Sequence, residues 1–272
     1  MPSELSSDQI KSETLKLLIK LIEICQLLNI NYFLFYGSLI GAIRHRGYIP
    51  WDDDLDVAML RPEFDKFVEY CRNNETSMFP YKLVGDFNVK DYPYNIPRFC
   101  NMDYRMETPF MKNTGMGLFI DIYPFDGVGS DLKLARKEFS IKKNLLHSCI
   151  SYANGEFKPR YNKRIINYSF RLMLYLFARV IGPHYFKKKL YSFKDKHSLD
   201  ESNYVECVVW STLFKPIPKE TFFNPITAVF EGITVSIPHN YDEVLTTIYG
   251  DYMTPPDEND RLPHHDYKIF KI

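Results

Sequence analysis

Residues 51–60 read WDDDLDVAML, and no other stretch limits the fold as much. Four aspartates fall within five positions, directly ahead of an apolar run that reads as a buried strand. Carboxylates crowded in this way repel one another unless a cation stands among them. Alternate side chains of a strand share a face, so Asp54 and Asp56 project one way while Leu55 and Val57 project the other. Two carboxylates aimed together, with no His or Cys beside them, form a hard all-oxygen donor set suited to Mg²⁺ or Mn²⁺.

The flanking sequence supplies partners for such a site. Tyr32 to Tyr36 is an apolar run that stops at Gly37-Ser38, after which Leu39 to Arg46 fits a short helix. A glycine at a strand-to-helix turn lets backbone approach a ligand, and a helix start offers N–H groups to a phosphate. Arg44 lies within reach to pair with that phosphate, with Arg98 a second candidate. Further on, Leu118 to Ile122 alternates like a strand and carries Asp121 between two isoleucines. A carboxylate in that setting is paired, protonated or bound to metal. Asp126-Gly127 reads as the turn that follows.

The remaining chain reads as a mixture of helices and strands. Helices are expected over 7–28, 62–73, 131–150, 160–194 and 242–249, on the spacing of their apolar positions. YKLVGDF, IPRFCNMD and GITVSIP read as strands. The five cysteines are scattered with no CxxC pair, the usage of a reduced protein in which they are structural. The polar, acidic start has no secretory pattern, and no run of about 18 apolar residues is present. These features place the chain in the cytoplasm, free or peripheral at the inner face of the membrane.

Taken in order, Gly37-Ser38, Asp54-x-Asp56 and a lone strand aspartate, Asp121, resemble the nucleotidyltransferase superfamily. The likeness is closer to its LicD branch, because YGSLIGAIRHRGYIPWDDDLDVAM, FIDIYPFDG and the tail YGDYMTPP with the later His264-His265 all look like blocks of that family. The resemblance implies an α/β (α+β) fold: a small mixed sheet of nucleotidyltransferase type with flanking helices. It implies a single domain over 1–272, with the core at about 1–130, a helical insertion at about 130–200, and C-terminal strands, helix and tail beyond. It further implies a phosphotransferase that moves phosphocholine from CDP-choline to a hydroxyl of a cell-surface glycan precursor, of teichoic acid or lipopolysaccharide type. Transfer of glycerol or ribitol phosphate from a related CDP-alcohol is the alternative within the same chemistry.

On that resemblance Asp54, Asp56 and Asp121 hold two Mg²⁺ or Mn²⁺ ions, and Asp121 orients or deprotonates the acceptor hydroxyl. Gly37, Ser38 and Arg44 hold donor phosphates. Asp52 either assists a second ion or braces the Trp51 loop. A choline headgroup wants aromatic faces; Trp51, Trp210, Tyr249 and Tyr252 are candidates, although 20 Tyr, 21 Phe and 2 Trp leave the choice open. His264-His265-Asp266 is read as a loop rather than a metal site.

The zero net charge hides an asymmetry. Residues 130–198 hold sixteen Lys/Arg against four acids, so the rest of the chain is negative by twelve. Such a segment suits an anionic partner. Arg160, Arg164, Asn167 and Arg171 fall on one stripe of an otherwise apolar helix, which either lies on an anionic membrane bearing a lipid-linked acceptor or packs inside the domain. The internal position is the favoured expectation. A nucleic-acid-binding module is the rival from another class, and it is disfavoured because three carboxylates at a phosphate site repel nucleic acid without cations.

Overall fold

The computed structural model describes residues 3–90, 92–109, 115–155, 165–210, 214–258, 261 and 267–272. In chain order its elements are β1 (Ser3–Glu4), α1 (Ser7–Leu28), β2 (Phe33–Leu34), α2 (Tyr36–Ile40), β3 (Asp56–Leu60), α3 (Arg61–Asn73), α4 (Glu75–Met78) and β4 (Tyr81–Val84). There follow β5 (Arg98–Asn101), β6 (Tyr104–Glu107), β7 (Leu118–Gly127), α5 (Leu132–Asn154), α6 (Ile165–Ile181) and α7 (Pro183–Tyr191). The last third holds β8 (Tyr204–Glu206), β9 (Ile217–Pro218), β10 (Ile226–Phe230), β11 (Ile233–Ile237), α8 (Tyr241–Tyr249) and β12 (Lys268–Lys271). This is the mixed α/β architecture that the sequence implies.

The main sheet runs β2-β3-β7-β5-β4, with β8 and β9 extending from the end of β7. Only the β3–β7 pair is parallel among the neighbours of this path. All ten residues of β7 are buried, as expected of a central strand covered on both faces. The register is what matters for function, because Asp56 lies opposite Asp121 across the parallel pair, and Arg98 of β5 lies opposite Asp121 on the other side. Three charged residues thus share one row of a buried sheet.

Several boundaries differ from the sequence reading. β7 continues to Gly127 rather than ending before a turn at Asp126. Pro124 is tolerated there because Ile122 donates to the Pro97 carbonyl and β5 pairs with β7 only as far as Asp121. The N–H that proline lacks at 124 therefore points where β5 has already ended. Asp126 is neutralised inside the sheet by Arg61, whose Nε and Nη2 donate to its two oxygens at 2.7 and 3.0 Å. The helix expected over 160–194 is two helices, since Gly182 takes φ +83° and Pro183 starts α7.

The core is built from the buried face of α1, with Leu17, Leu18, Leu21 and Ile24, against the central sheet residues Val57, Met59, Ile120 and Ile122. Ser6 and Gln9 form a reciprocal cap at the start of α1, which satisfies two otherwise open backbone donors. All five cysteines are buried free thiols.

Candidate active site

The strand proper begins at Asp56, so Asp54 belongs to the irregular approach rather than to β3. The two carboxylates nevertheless converge, because the approach is already tied to β7: the Leu55 carbonyl accepts from the Asp121 N–H at 2.9 Å. One oxygen from each of Asp54, Asp56 and Asp121 lies within 4.8 Å of the others. Asp56 and Asp121 are 6% and 3% exposed, and Asp56 Oδ1 is buried with no hydrogen-bond partner. Burial, and then the charges of Asp54 and Asp121, push the Asp56 carboxyl well above the usual carboxylate range, with the Tyr123 hydroxyl bond opposing.

An orphaned buried carboxylate oxygen is costly. A hard divalent cation among these three groups would give Asp56 Oδ1 the partner it lacks and remove the repulsion. The donor set present therefore fits such an ion. Asp121 has one oxygen already taken, since Arg98 Nε donates to its Oδ1 at 2.6 Å. Asp52, Asp53 and Asp54 form a second converging triplet, and Asp54 is common to both.

A cavity of about 630 Å³ opens above the carboxylates. Asp52, Asp54 and Asp56 line its floor, and Tyr36, Trp51, Tyr123, Trp210, Tyr249 and Tyr252 supply aromatic surface. The rings are braced by edge contacts, Tyr36 on Tyr123 at 4.8 Å and Tyr123 on Trp210 at 5.6 Å. Gly37 leaves room for Asp52: a Cβ at that position would stand 2.7 Å from Asp52 Oδ2, so that carboxylate would have to shift. Tyr36 beside it takes φ +45°, a strained conformation for a bulky residue. The turn expected to hold phosphate is thus shaped around the aspartates.

The family described as LicD/FKTN/FKRP, nucleotidyltransferase domain, matches residues 29–157. That span contains the glycine turn and all three aspartates. The lipopolysaccharide cholinephosphotransferase LicD of Haemophilus influenzae is 32% identical over 251 residues, covering 89% of this chain and 89% of that protein. The chain belongs to the LicD family. Uncharacterised proteins of Rickettsia prowazekii and Rickettsia typhi are each 49% identical over 35 residues, a 13% share of this chain and 13% and 11% of theirs.

Within this LicD-family chain the other expected site residues are placed unevenly. Arg44 lines the cavity, donates from Nη1 to the Tyr252 carbonyl at 2.8 Å and lies 5.9 Å from the Trp51 ring. It therefore holds the C-terminal tail over the cavity. Arg261 stands over the same indole at 5.2 Å. Trp51, Trp210, Tyr249 and Tyr252 all reach the cavity. Arg98 does not: it is buried against Asp121 and is no phosphate ligand. His264, His265 and Asp266 lie outside the described residues.

Tyr36 and Tyr123 were not singled out in the sequence reading. Tyr123 carried a signal, since it sits two residues past Asp121 and so shares its face of the strand. Arg98 as the partner of Asp121 carried none, because the pairing depends on cross-strand register.

Ser38 differs from expectation. Its side chain is buried, and its Oγ accepts from the Asp56 N–H at 2.8 Å instead of lining the cavity. Ser38→Ala should leave that N–H unsatisfied and cost about 1–3 kcal/mol of stability, while slowing transfer by loosening Asp56. Denaturant unfolding beside initial-rate kinetics checks this. Unchanged stability with only KM raised would return Ser38 to the role of a phosphate contact.

Proposed function

We propose that this chain catalyses metal-dependent transfer of phosphocholine from CDP-choline to a hydroxyl of a cell-surface glycan, of lipopolysaccharide or teichoic acid type. The observation that carries the reading is the convergence of Asp54, Asp56 and Asp121, the first two of which line an aromatic cavity. The Haemophilus influenzae relative, named for phosphocholine transfer to lipopolysaccharide, supports the substrate class. Asp54, Asp56 and Asp121 would hold Mg²⁺ or Mn²⁺, and Asp54, shared by the two carboxylate triplets, supports a two-ion site. The bound cation supplies neutralisation of pyrophosphate charge and a lowered pKa for the acceptor hydroxyl.

The protein's own groups do the rest. Gly37 lets backbone come close to the floor of the cavity. Arg44 and Arg261, stationed at Trp51, offer cationic donors for phosphate oxygens at the mouth. Asp121, with Oδ1 fixed by Arg98, has its Oδ2 set in one direction and orients the acceptor hydroxyl. Trp210 and Tyr249, which line the cavity, are the rings for a quaternary ammonium, which can donate no hydrogen bond and is held by cation–π attraction instead.

A competition among equal amounts of CDP-choline, CDP-glycerol and CDP-ribitol, with acceptor and Mg²⁺, tests the donor. Two desolvated ring faces at about 1–2 kcal/mol each predict a preference for CDP-choline of roughly 30-fold or more. The polar groups of a polyol site would reject choline by being left unpaired. Asp251 and Thr254, which also line the cavity, are the groups such a site would use. Faster consumption of either polyol donor retires the choline reading and leaves the carboxylate site standing.

A further inference from the structure

The amphipathic helix α6 faces the opposite way from the sequence expectation. Its two described arginines bond back to α5: Arg171, half-buried, donates from Nε to the Tyr152 hydroxyl, and Arg179, still exposed, donates from Nη1 to the Ala153 carbonyl. Arg160 and Arg164 lie outside the described residues. Apart from Ser169 and Arg179, what α6 shows to solvent among its described side chains is apolar or aromatic. Phe170, Met173, Phe177 and Val180 are 55%, 60%, 52% and 85% exposed. Steps of three, four and three put these four on one stripe, about 15 Å long at helical rise. Patches of this kind on a soluble surface mark an interaction site.

Charge identifies what covers it. Neither α6 nor α7 contains an acidic residue. α7 packs against α6 through Phe186 and Phe177, 6.0 Å apart, and exposes Lys188 and Lys189. The two acids of the neighbouring α5 region are engaged locally, Asp131 capping its helix and Glu138 held by Lys196 and His197. A second copy would bring the same lysines face to face in a two-fold contact, which is repulsive. An anionic lipid surface answers both features at once, taking the apolar side chains below its headgroups and the lysines at them. No helix among the described residues is long and apolar enough to cross a membrane.

We infer that the α6–α7 face docks on an anionic bilayer, with α6 lying in the plane of the interface. The inference stands on exposure and charge in these two helices and is independent of which donor the cavity takes. Full-length protein is sedimented with vesicles of phosphatidylglycerol and phosphatidylcholine, and with phosphatidylcholine alone, at low and high salt. Wild type should bind the mixed vesicles at least about tenfold better than the neutral ones, and salt should weaken the binding. Phe170→Ser/Met173→Ser/Val180→Ser, which spares the Phe177–Phe186 contact, should lower binding about tenfold or more with an unchanged circular dichroism spectrum, since all three side chains are already exposed. Lys188→Gln/Lys189→Gln, which leaves the apolar stripe intact, should reduce binding to the anionic vesicles only. Equal binding to both vesicle types, or none at low salt, overturns the inference. So does a lipid-free dimer that the serine variant breaks, because the face would then belong to a second copy.

Discussion

Asp56→Ala is expected to reduce transfer by roughly a thousandfold while the metal-free protein melts at a higher temperature than wild type. Both effects come from one atom group. Asp56 carries a buried oxygen without a partner and stands within reach of two other carboxylates, so its removal relieves repulsion and desolvation together. The pH dependence follows from the direction of its shift. The fold favours the protonated Asp56 carboxyl, so the stability this group contributes is fully present below the usual carboxylate range. It is lost as pH rises through the elevated folded value. The metal-free wild type should therefore lose melting temperature across that window, and Asp56→Ala should flatten the loss. Mg²⁺ should raise the wild-type melting temperature by mass action and leave the variant nearly unmoved. Thermal scans against pH, with and without Mg²⁺, check all of this. Near-wild-type turnover in the variant, or a wild type indifferent to Mg²⁺, removes Asp56 from the site.

The elements that the sequence revealed are those in which a local pattern and the tertiary outcome agree. Asp54-x-Asp56 ahead of Val57-Ala58-Met59-Leu60 could be read as converging carboxylates because the cost of clustered charge is a local fact, although the strand itself begins only at Asp56. The long amphipathic pattern of α1 was legible for the same reason. Register was not. Nothing in IPRFCNMD says that Arg98 will lie opposite Asp121, and its basic side chain reads as a phosphate ligand until the sheet is assembled. Ser38 misled in a similar way, since the hydroxyl at the turn is spent on the Asp56 N–H of β3. Pro124 and Asp126-Gly127 imitate a turn within a strand that tolerates them, because β5 has ended and Arg61 neutralises Asp126. Helix α6 shows the limit of periodicity: it gives two faces but not which one turns inward, and here the arginine side packs on α5.

Arg98→Met should be the most destabilising single change near the site, and it separates Asp121 from the other two aspartates. The guanidinium is held between the Tyr94 and Phe119 rings, 3.6 and 3.8 Å from their centres, with Nε bonded to Asp121 Oδ1 at 2.6 Å. Side chains of the pair are 7% and 5% exposed, so solvent cannot replace either partner. Methionine fills the slot between the rings but leaves a buried carboxylate unpaired, at a cost of about 3–5 kcal/mol. That corresponds to a drop in melting temperature of roughly 10 °C for a chain of this size. Asp121→Ala should also lower the melting temperature, because it strands the arginine, whereas Asp56→Ala should raise it. The opposite signs distinguish a carboxylate paired with a cation from one that keeps a buried oxygen without a partner. Arg98→Met/Asp121→Asn removes both charges together and should recover most of the lost stability, giving a large coupling energy in the double-mutant cycle, while transfer stays abolished. Added Mg²⁺ should recover part of the stability of Arg98→Met alone, since a cation near Asp121 replaces some of the missing charge. If Arg98→Met melts within a degree or so of wild type, the pair does not hold the row, and the fixed direction of Asp121 Oδ2 must have another source.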